Sequence, residues 1–206
     1  MADGLGHEFT ITKTTTKNHA ACGHAHAAID AALQLQSTHG FKAEEIERID
    51  AGTYGPAVEI VGAQEIISAF EAKFSLPYCV AVILITGSCR TAAFEPQFLT
   101  NSDVLKLAKR VFVSKDDACD NAFPKQRSAT VTIQLKSGET LTQHAPTRKG
   151  DPDAPLSDAE LSEKYRELAT PVIGEANTHQ LEERIWGVDK ITNVRELYPT
   201  LSAAAE

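Results

Sequence analysis

The 206-residue sequence predicts an α+β protein in which an antiparallel sheet with a β-hairpin packs against several helices. Residues 129–145 alternate apolar and polar side chains around a turn at 136–139, a pattern typical of a hairpin with one buried face. Residues 78–86 are apolar on every side, as expected of a buried helix. Residues 24–37 carry small apolar side chains at helical spacing. No linker interrupts the chain, so we expect a single domain over residues 1–206.

The other elements are predicted from local propensity and helix caps. β-Branched residues alternate over His7–Lys17, so we expect a strand that leads into the loop before the first helix. Gly40 and Gly87 should end the first helix and the buried helix. Ser157 and Glu160 match a capping box that begins a late helix. Further predictions are a helical turn at 43–46, strands at 47–54 and 111–114, a helix at 63–70, a helix capped at 100 or 101, a loop at 116–127, a helix capped within 177–180 and a helix at 194–201.

Composition excludes several classes of function. A net charge of −8 argues against a general nucleic-acid partner, which requires a basic surface. The four cysteines are dispersed, as is typical of reduced thiols in a cytosolic protein. The longest apolar run, Cys79–Ile85, is too short to span a bilayer, and residues 1–6 do not resemble a signal peptide. We therefore expect a soluble cytoplasmic protein without a membrane partner.

A short segment before the first helix concentrates groups that bind anions and move protons: Lys17, His19, Cys22, His24 and His26. Histidine exchanges protons near neutral pH, and lysine can bind a carboxylate. Removing a proton beside a carboxylate needs a base together with cationic groups that stabilise the developing charge. Free N–H groups at the helix start would add to anion binding. The segment therefore indicates proton transfer on an organic anion, with ordinary surface or core histidines as the alternative.

Other kinds of chemistry are less well supported by the sequence. Cys22, His24 and His26 do not have a usual zinc spacing, and two helical residues two positions apart point about 200° apart, so we predict no metal. No pattern supports Cys22 as a nucleophile. Tyr78, at the start of the buried helix, either donates a hydrogen bond to a substrate or is a packed aromatic residue. Residues 148–151 fit either a phosphate-binding turn or a solvated turn. The sequence contains no nucleotide-binding motif.

Three segments carry a resemblance to a known family: Lys17–Ala31, Ala72–Ala81 and Gly150–Leu161. They resemble the second half of MmgE/PrpD proteins, which include 2-methylcitrate dehydratases, cis-aconitate decarboxylases and iminodisuccinate epimerases. The resemblance implies the smaller, C-terminal α+β domain of that family. It also implies that the preceding all-helical domain is absent here, that a helical partner domain completes the site, and that the protein is a homo-oligomer such as a dimer.

The resemblance further implies a set of site residues. Lys17 would contact substrate carboxylates, while His26 and Tyr78 would be catalytic, His26 by acid/base work or by positioning. Cys22 stands where some members of the family have a histidine, and His24 has no matching position in the family; we add both as substrate-binding residues because they lie in the same segment. The implied chemistry needs no metal and no cofactor, and the substrate is a small di- or tricarboxylate. Our first hypothesis is dehydration of a tricarboxylate such as 2-methylcitrate, a lyase reaction of propionate metabolism. The alternatives are a decarboxylase or an epimerase on the same scaffold, or a non-catalytic assembly module.

Overall fold

A computed structural model of the chain describes residue 4 and residues 6–201. It contains two compact units, within Met1–Pro155 and Leu156–Glu206. The first contains a four-stranded sheet and seven of the α-helices described below, and the second is helical. The predicted α+β class is confirmed. The assignment of residues 1–206 to a single domain stays a prediction.

The secondary structure follows the chain in this order. The strands are β1 (Ile46–Thr53), β2 (Val111–Lys115), β3 (Ala129–Leu135) and β4 (Thr140–Ala145). The α-helices are α1 (His26–His39), α2 (Gly55–Val61), α3 (Ala69–Ala72), α4 (Leu76–Thr86), α5 (Pro96–Leu99), α6 (Ser102–Ala108), α7 (Asp117–Ala122) and α8 (Asp158–Trp186). Short 3-10 helices cover Thr10–Lys13, Ala43–Glu45, Thr91–Phe94, Val188–Lys190 and Val194–Leu201.

The sheet has the strand order β2-β1-β3-β4. β3 and β4 form the predicted hairpin, and β3 also pairs antiparallel with β1. β2 pairs with β1 in the parallel direction, because the chain between them crosses over through helices before it returns to the sheet. The sheet is therefore mixed, with the predicted antiparallel part formed by three strands. Thr53, Ala129 and Ala145 lie opposite one another, which places the end of β1, the start of β3 and the end of β4 at one edge.

The core lies between the sheet and the helices α1 and α4. Every residue of α4 from Leu76 to Leu84 is buried, as its uniformly apolar sequence predicts. The hydroxyl of Ser75 accepts the N–H of Tyr78 at the start of α4, and Gly87 ends the helix with a positive φ of 76°. Gly40 ends α1 in the same way, as predicted.

The predicted strand at His7–Lys17 is wrong. Residues 10–13 form an exposed 3-10 helix, and Phe9 and Ile11 are 63% and 73% exposed. A β-branched alternation stabilises a strand only when a neighbouring strand pairs with it, and the N–H of Thr16 instead bonds to the carbonyl of Gly150 at 2.9 Å. Two other predictions need correction, because the helix expected at 63–70 is reduced to α3 and the loop expected at 116–127 contains α7.

The second unit is built around α8. Ser157 and Glu160 form the predicted capping box at its start. Gly174, with φ 77° and ψ 161°, breaks α8 into two arms, three residues before the cap that the sequence predicted within 177–180. Arg166 on one arm bonds to Glu182 on the other at 2.6 and 3.1 Å, which holds the arms side by side.

Within residues 4 and 6–201, no helix has the length and apolar character needed to cross a bilayer.

Candidate functional site

The loop that precedes α1 is fixed to the chain on both sides of α4. The N–H of Cys22 donates to the carbonyl of Lys73 at 2.8 Å, just before α4. The N–H of Ala20 donates to the carbonyl of Cys89 at 2.9 Å, just after it. Because α4 is buried along its length, these bonds hold the loop against a rigid support.

Lys17 and His26 converge on one main-chain oxygen. The Lys17 ammonium donates to the carbonyl of Ala21 at 3.3 Å, and Nε2 of His26 lies 3.2 Å from the same oxygen. Lys17 is exposed, whereas His26 is 1% exposed. The structure thus brings these two predicted site residues together around a single turn of the loop.

The His26 imidazole is neutral in the folded chain. Burial, reinforced by the neighbouring His19 ring, lowers the pKa of His26 to about 4. Since the carbonyl of Ala21 can only accept, Nε2 carries the hydrogen. Nδ1 of His26 is buried and has no partner among the described residues.

His19 closes the other side of the loop. Its ring packs edge-on to His26 with the ring centroids 5.1 Å apart, and its Nε2 lies 2.8 Å from Oδ1 of Asp30. The second oxygen of Asp30 accepts the N–H of Lys149 at 2.8 Å. Asp30 therefore connects the histidine loop, as we call residues 17–26, to the segment after β4, a role that the sequence alone did not indicate.

His24 contacts Tyr54, the residue that follows β1. Its Nδ1 lies 2.7 Å from the hydroxyl of Tyr54, and the Tyr54 ring stacks on Phe123 with centroids 4.5 Å apart. Burial raises the pKa of Tyr54 to about 12, so the phenol is protonated at neutral pH. Burial also lowers the pKa of His24, and the charges of Arg127 and Arg148 lower it further.

The corner after β4 is a buried ion pair. Arg148 donates to both carboxylate oxygens of Asp151, from Nε at 2.9 Å and from Nη2 at 2.6 Å. Thr15 donates to Asp151 at 2.6 Å, which ties the N-terminal segment to this corner. A Cβ on Gly23 would lie 2.8 Å from Nη1 of Arg148, so the guanidinium would have to shift to admit a larger residue there. The corner acts as a clamp on the histidine loop.

Tyr78 is engaged inside the protein. It is fully buried, and its hydroxyl donates to the carbonyl of Ala93 at 2.6 Å beside the ring of Phe94. Burial raises the pKa of its phenol. The partner described for the Tyr78 hydroxyl is therefore a main-chain oxygen outside the histidine loop.

The five predicted site residues thus divide into three groups. Lys17 and His26 meet at one carbonyl, Cys22 and His24 are half-buried on the same loop, and Tyr78 lies within the core. The roles assigned to them stay predictions. In the part of the chain that the structure describes, no three His, Cys, Asp or Glu side chains are grouped so that they could hold a metal ion.

A cavity of about 490 Å³ lies at the opposite end of α1, between Phe41, Leu84 and Leu107. Lys42, Lys106, Lys136 and Arg110 are also among its lining residues. It is separate from the histidine loop, which precedes the first turn of the same helix.

The fold and the histidine loop belong to a known family of proteins. Residues 19–188 match the family model of the MmgE/PrpD C-terminal domain, and the chain belongs to this family. The matched residues include residues 19–26 of the histidine loop, the whole sheet and all of α8. The family to which the sequence showed a resemblance is therefore confirmed.

Individual relatives are named cis-aconitate decarboxylase or cis-aconitate decarboxylase-like protein. The cis-aconitate decarboxylase-like protein oryM of Aspergillus oryzae is 26% identical over 210 residues, which cover 98% of this chain and 43% of that protein. The cis-aconitate decarboxylase of Aspergillus terreus is 25% identical over 97% of this chain and 42% of its own length. The mouse cis-aconitate decarboxylase is 29% identical over 65% of this chain and 27% of its own. The chain spans less than half the length of these relatives.

Proposed function

We propose that this chain is the carboxylate-binding domain of a lyase that acts on a small tricarboxylate. The convergence of the Lys17 ammonium and the His26 imidazole on the Ala21 carbonyl is the observation that carries the proposal. This arrangement presents an exposed cation on a loop whose backbone is fixed by buried neighbours. The family membership supports the same class of reaction.

The neutral state of His26 decides its part in this proposal. A buried imidazole whose pKa is about 4 adds no second positive charge to the loop, and its Nε2–H is committed to Ala21. His26 therefore acts by positioning the carbonyl that orients Lys17. Lys17 remains the group that reaches solvent and attracts the carboxylate.

The relatives favour decarboxylation as the first candidate reaction, ahead of the dehydration of 2-methylcitrate. In decarboxylation the carbon–carbon bond to one carboxylate breaks, carbon dioxide leaves, and the electron pair remains on carbon until a proton is added there. A fixed cation beside the remaining carboxylates stabilises this developing negative charge. Dehydration and epimerisation pass through a similar carbanion, so the same loop would serve either of them.

A helical partner domain and a homo-oligomer belong to the proposal as well. The relatives are more than twice as long as the part of them that matches this chain. Residues supplied from outside the chain would then complete the site that the histidine loop begins.

The test is incubation of the full 206-residue chain with cis-aconitate and with 2-methylcitrate, followed by proton NMR of the acids. Loss of carbon dioxide, loss of water or solvent deuterium in the recovered acid would each report one of the three reactions. Because the proposal places part of the site outside this chain, isothermal titration calorimetry with the same acids is the deciding measurement. Binding of either acid is expected, and failure to bind both would refute the carboxylate-binding role.

Lys17→Met is the informative variant, and Lys13→Met is its matched control. Lys13 is an exposed lysine four residues earlier whose described ion pair is with exposed Glu8 at 3.7 Å. We expect Lys17→Met to weaken carboxylate binding about tenfold, since a charge-assisted hydrogen bond is lost, and Lys13→Met to change it less than twofold. Equal affinities in the two variants would refute the assignment of Lys17.

A further inference from the structure

The walls of the cavity at the far end of α1 are fixed by hydrogen bonds between different elements. The side chain of Gln36 in α1 donates to the carbonyl of Leu84 in α4 at 2.9 Å. The N–H of Lys136, just after β3, donates to the carbonyl of Glu45 at 2.8 Å. The cavity is therefore built by the fold, and its volume of about 490 Å³ lies within the range of small-molecule sites, roughly 300–1,000 Å³.

The lining of this cavity combines apolar side chains with an excess of positive charge. Phe41, Leu84 and Leu107 are buried apolar residues that contribute to it. Its charged residues are four cations and two carboxylates: Lys42, Lys106, Arg110, Lys136, Glu44 and Asp103. The lining thus carries a net charge of +2, whereas the whole chain carries −8. A positively charged recess on an acidic protein attracts small anions.

Arg110 is held at the wall of the cavity with donors to spare. Its Nη1 donates to the carbonyl of Ile46, at the start of β1, at 2.6 Å. Among the described residues, neither its Nε nor its Nη2 has a hydrogen-bond partner, and these two groups can donate together to two oxygens of one anion. The structure therefore provides a fixed guanidinium that can accept a ligand.

The lysines of the lining differ in the same respect. Lys106 pairs with Asp103 at 3.4 Å. In the described part of the chain, the ammonium groups of Lys42 and Lys136 form no ion pair. Cations at the end of a helix offset its negative pole, which would explain Lys106 at the end of α6. That explanation does not extend to Lys136, because it follows a strand.

We propose that this cavity binds a small dianion that carries an apolar group, such as a phosphate monoester. Lys42, Arg110 and Lys136 bind the anion, and the apolar group packs against Phe41 and Leu107. A dianion fits better than a monoanion because several cations line one cavity, and the fork of an arginine matches the oxygens of a phosphate. The site goes beyond the proposed function, since a tricarboxylate has no apolar group for this lining.

The test is calorimetric titration of the full chain with 1-naphthyl phosphate at low salt. Inorganic phosphate tests the charge without the apolar group, and 1-naphthol tests the apolar group without the charge. We expect 1-naphthyl phosphate to bind at least about tenfold more tightly than either, because only this compound uses both parts of the lining. Equal affinity for inorganic phosphate or for 1-naphthol would overturn the proposal.

The informative variant combines Lys42→Met with Lys136→Met, which removes two exposed cations from the lining. Its matched control combines Lys109→Met with Lys125→Met, which removes the same charge from two exposed lysines outside the cavity. The first variant should weaken 1-naphthyl phosphate binding about tenfold or more, and the control should change it less than twofold. Circular dichroism should show that both variants keep the fold. Equal affinities in the two variants would refute the site.

The outcomes also separate this site from the proposed function. Lys17→Met should leave 1-naphthyl phosphate binding within twofold, and a larger loss would place the ligand at the histidine loop and overturn the cavity site. The variant that lacks Lys42 and Lys136 should bind cis-aconitate within twofold of wild type. Binding of 1-naphthyl phosphate by a chain that binds neither cis-aconitate nor 2-methylcitrate would support the cavity site and refute the carboxylate-binding role.

Discussion

Two Arg–Asp pairs in this chain share one geometry and differ in burial, which makes Asp151→Asn an informative substitution. Arg148 binds Asp151 at 2.9 and 2.6 Å, and Arg48 binds Asp50 at 2.8 and 2.6 Å, in each case from Nε and Nη2. The side chains of the first pair are 9% and 13% exposed, whereas those of the second are 46% and 47% exposed.

The expected loss in the free energy of unfolding follows from that difference in burial. Asp151→Asn leaves the Arg148 guanidinium buried beside a neutral amide, and removing one partner of a buried pair costs about 3–5 kcal/mol. Asp50→Asn leaves Arg48 in contact with water, so the loss should be about 1 kcal/mol or less. Since a domain has about 5–15 kcal/mol of stability in total, the first substitution should weaken the fold severely.

The assay is urea unfolding at pH 7.5, followed by circular dichroism, for wild type, Asp151→Asn, Asp50→Asn and the double variant Arg148→Met with Asp151→Asn. The double variant should be more stable than Asp151→Asn, because it no longer contains an unpaired buried cation. A loss in Asp151→Asn no greater than that in Asp50→Asn would refute the idea that burial gives this pair its importance.

Three further predictions use the same titration. Gly150→Ala should cost about 2 kcal/mol more than Gly138→Ala. Both glycines have positive φ (98° and 91°), but only at 150 would a Cβ clash with the Thr16 carbonyl oxygen; equal losses would contradict this. The free energy of unfolding of the wild type should rise with pH between about 4 and 6.5. Burial lowers the pKa of His26 to about 4 in the folded chain, whereas its pKa in the unfolded chain is 6.5, so the unfolded chain takes up the proton first as pH falls. The slope should decrease in His26→Gln, and an unchanged slope would exclude His26 as its source. Tyr78→Phe should lower the free energy of unfolding by about 1–3 kcal/mol, because a buried carbonyl loses its donor at 2.6 Å, and a change within the experimental error would contradict it.

The elements predicted correctly are those that local sequence determines. The hairpin of β3 and β4 needs only alternation and a turn at 136–139. Helix α4 needs only an apolar run between the cap at Ser75 and the stop at Gly87. In each case neighbours along the chain supply the pattern, so no knowledge of the tertiary structure is required.

The secondary-structure predictions fail where a strand or residue far away in the sequence determines the local structure. The segment His7–Lys17 has the composition of a strand but no strand beside it, and β2 joins the sheet only through a parallel pairing with β1. The grouping of Lys17 with His26 could be predicted because both lie within one loop. Tyr54 could not be placed there, since it reaches the histidine loop only through the folded position of β1, which it follows.

The clamp on the histidine loop has a consequence for synthesis on the ribosome. The hydrogen bond from the N–H of Lys149 to Asp30 joins residues 119 positions apart, and the hydrogen bond from Thr15 to Asp151 joins residues 136 positions apart. Such long separations delay the closing contacts until most of the chain has been made, and they slow folding. A nascent chain stalled before residue 147 would hold its histidines without the corner that fixes them, so the histidine loop should be among the last parts of the first unit to become ordered.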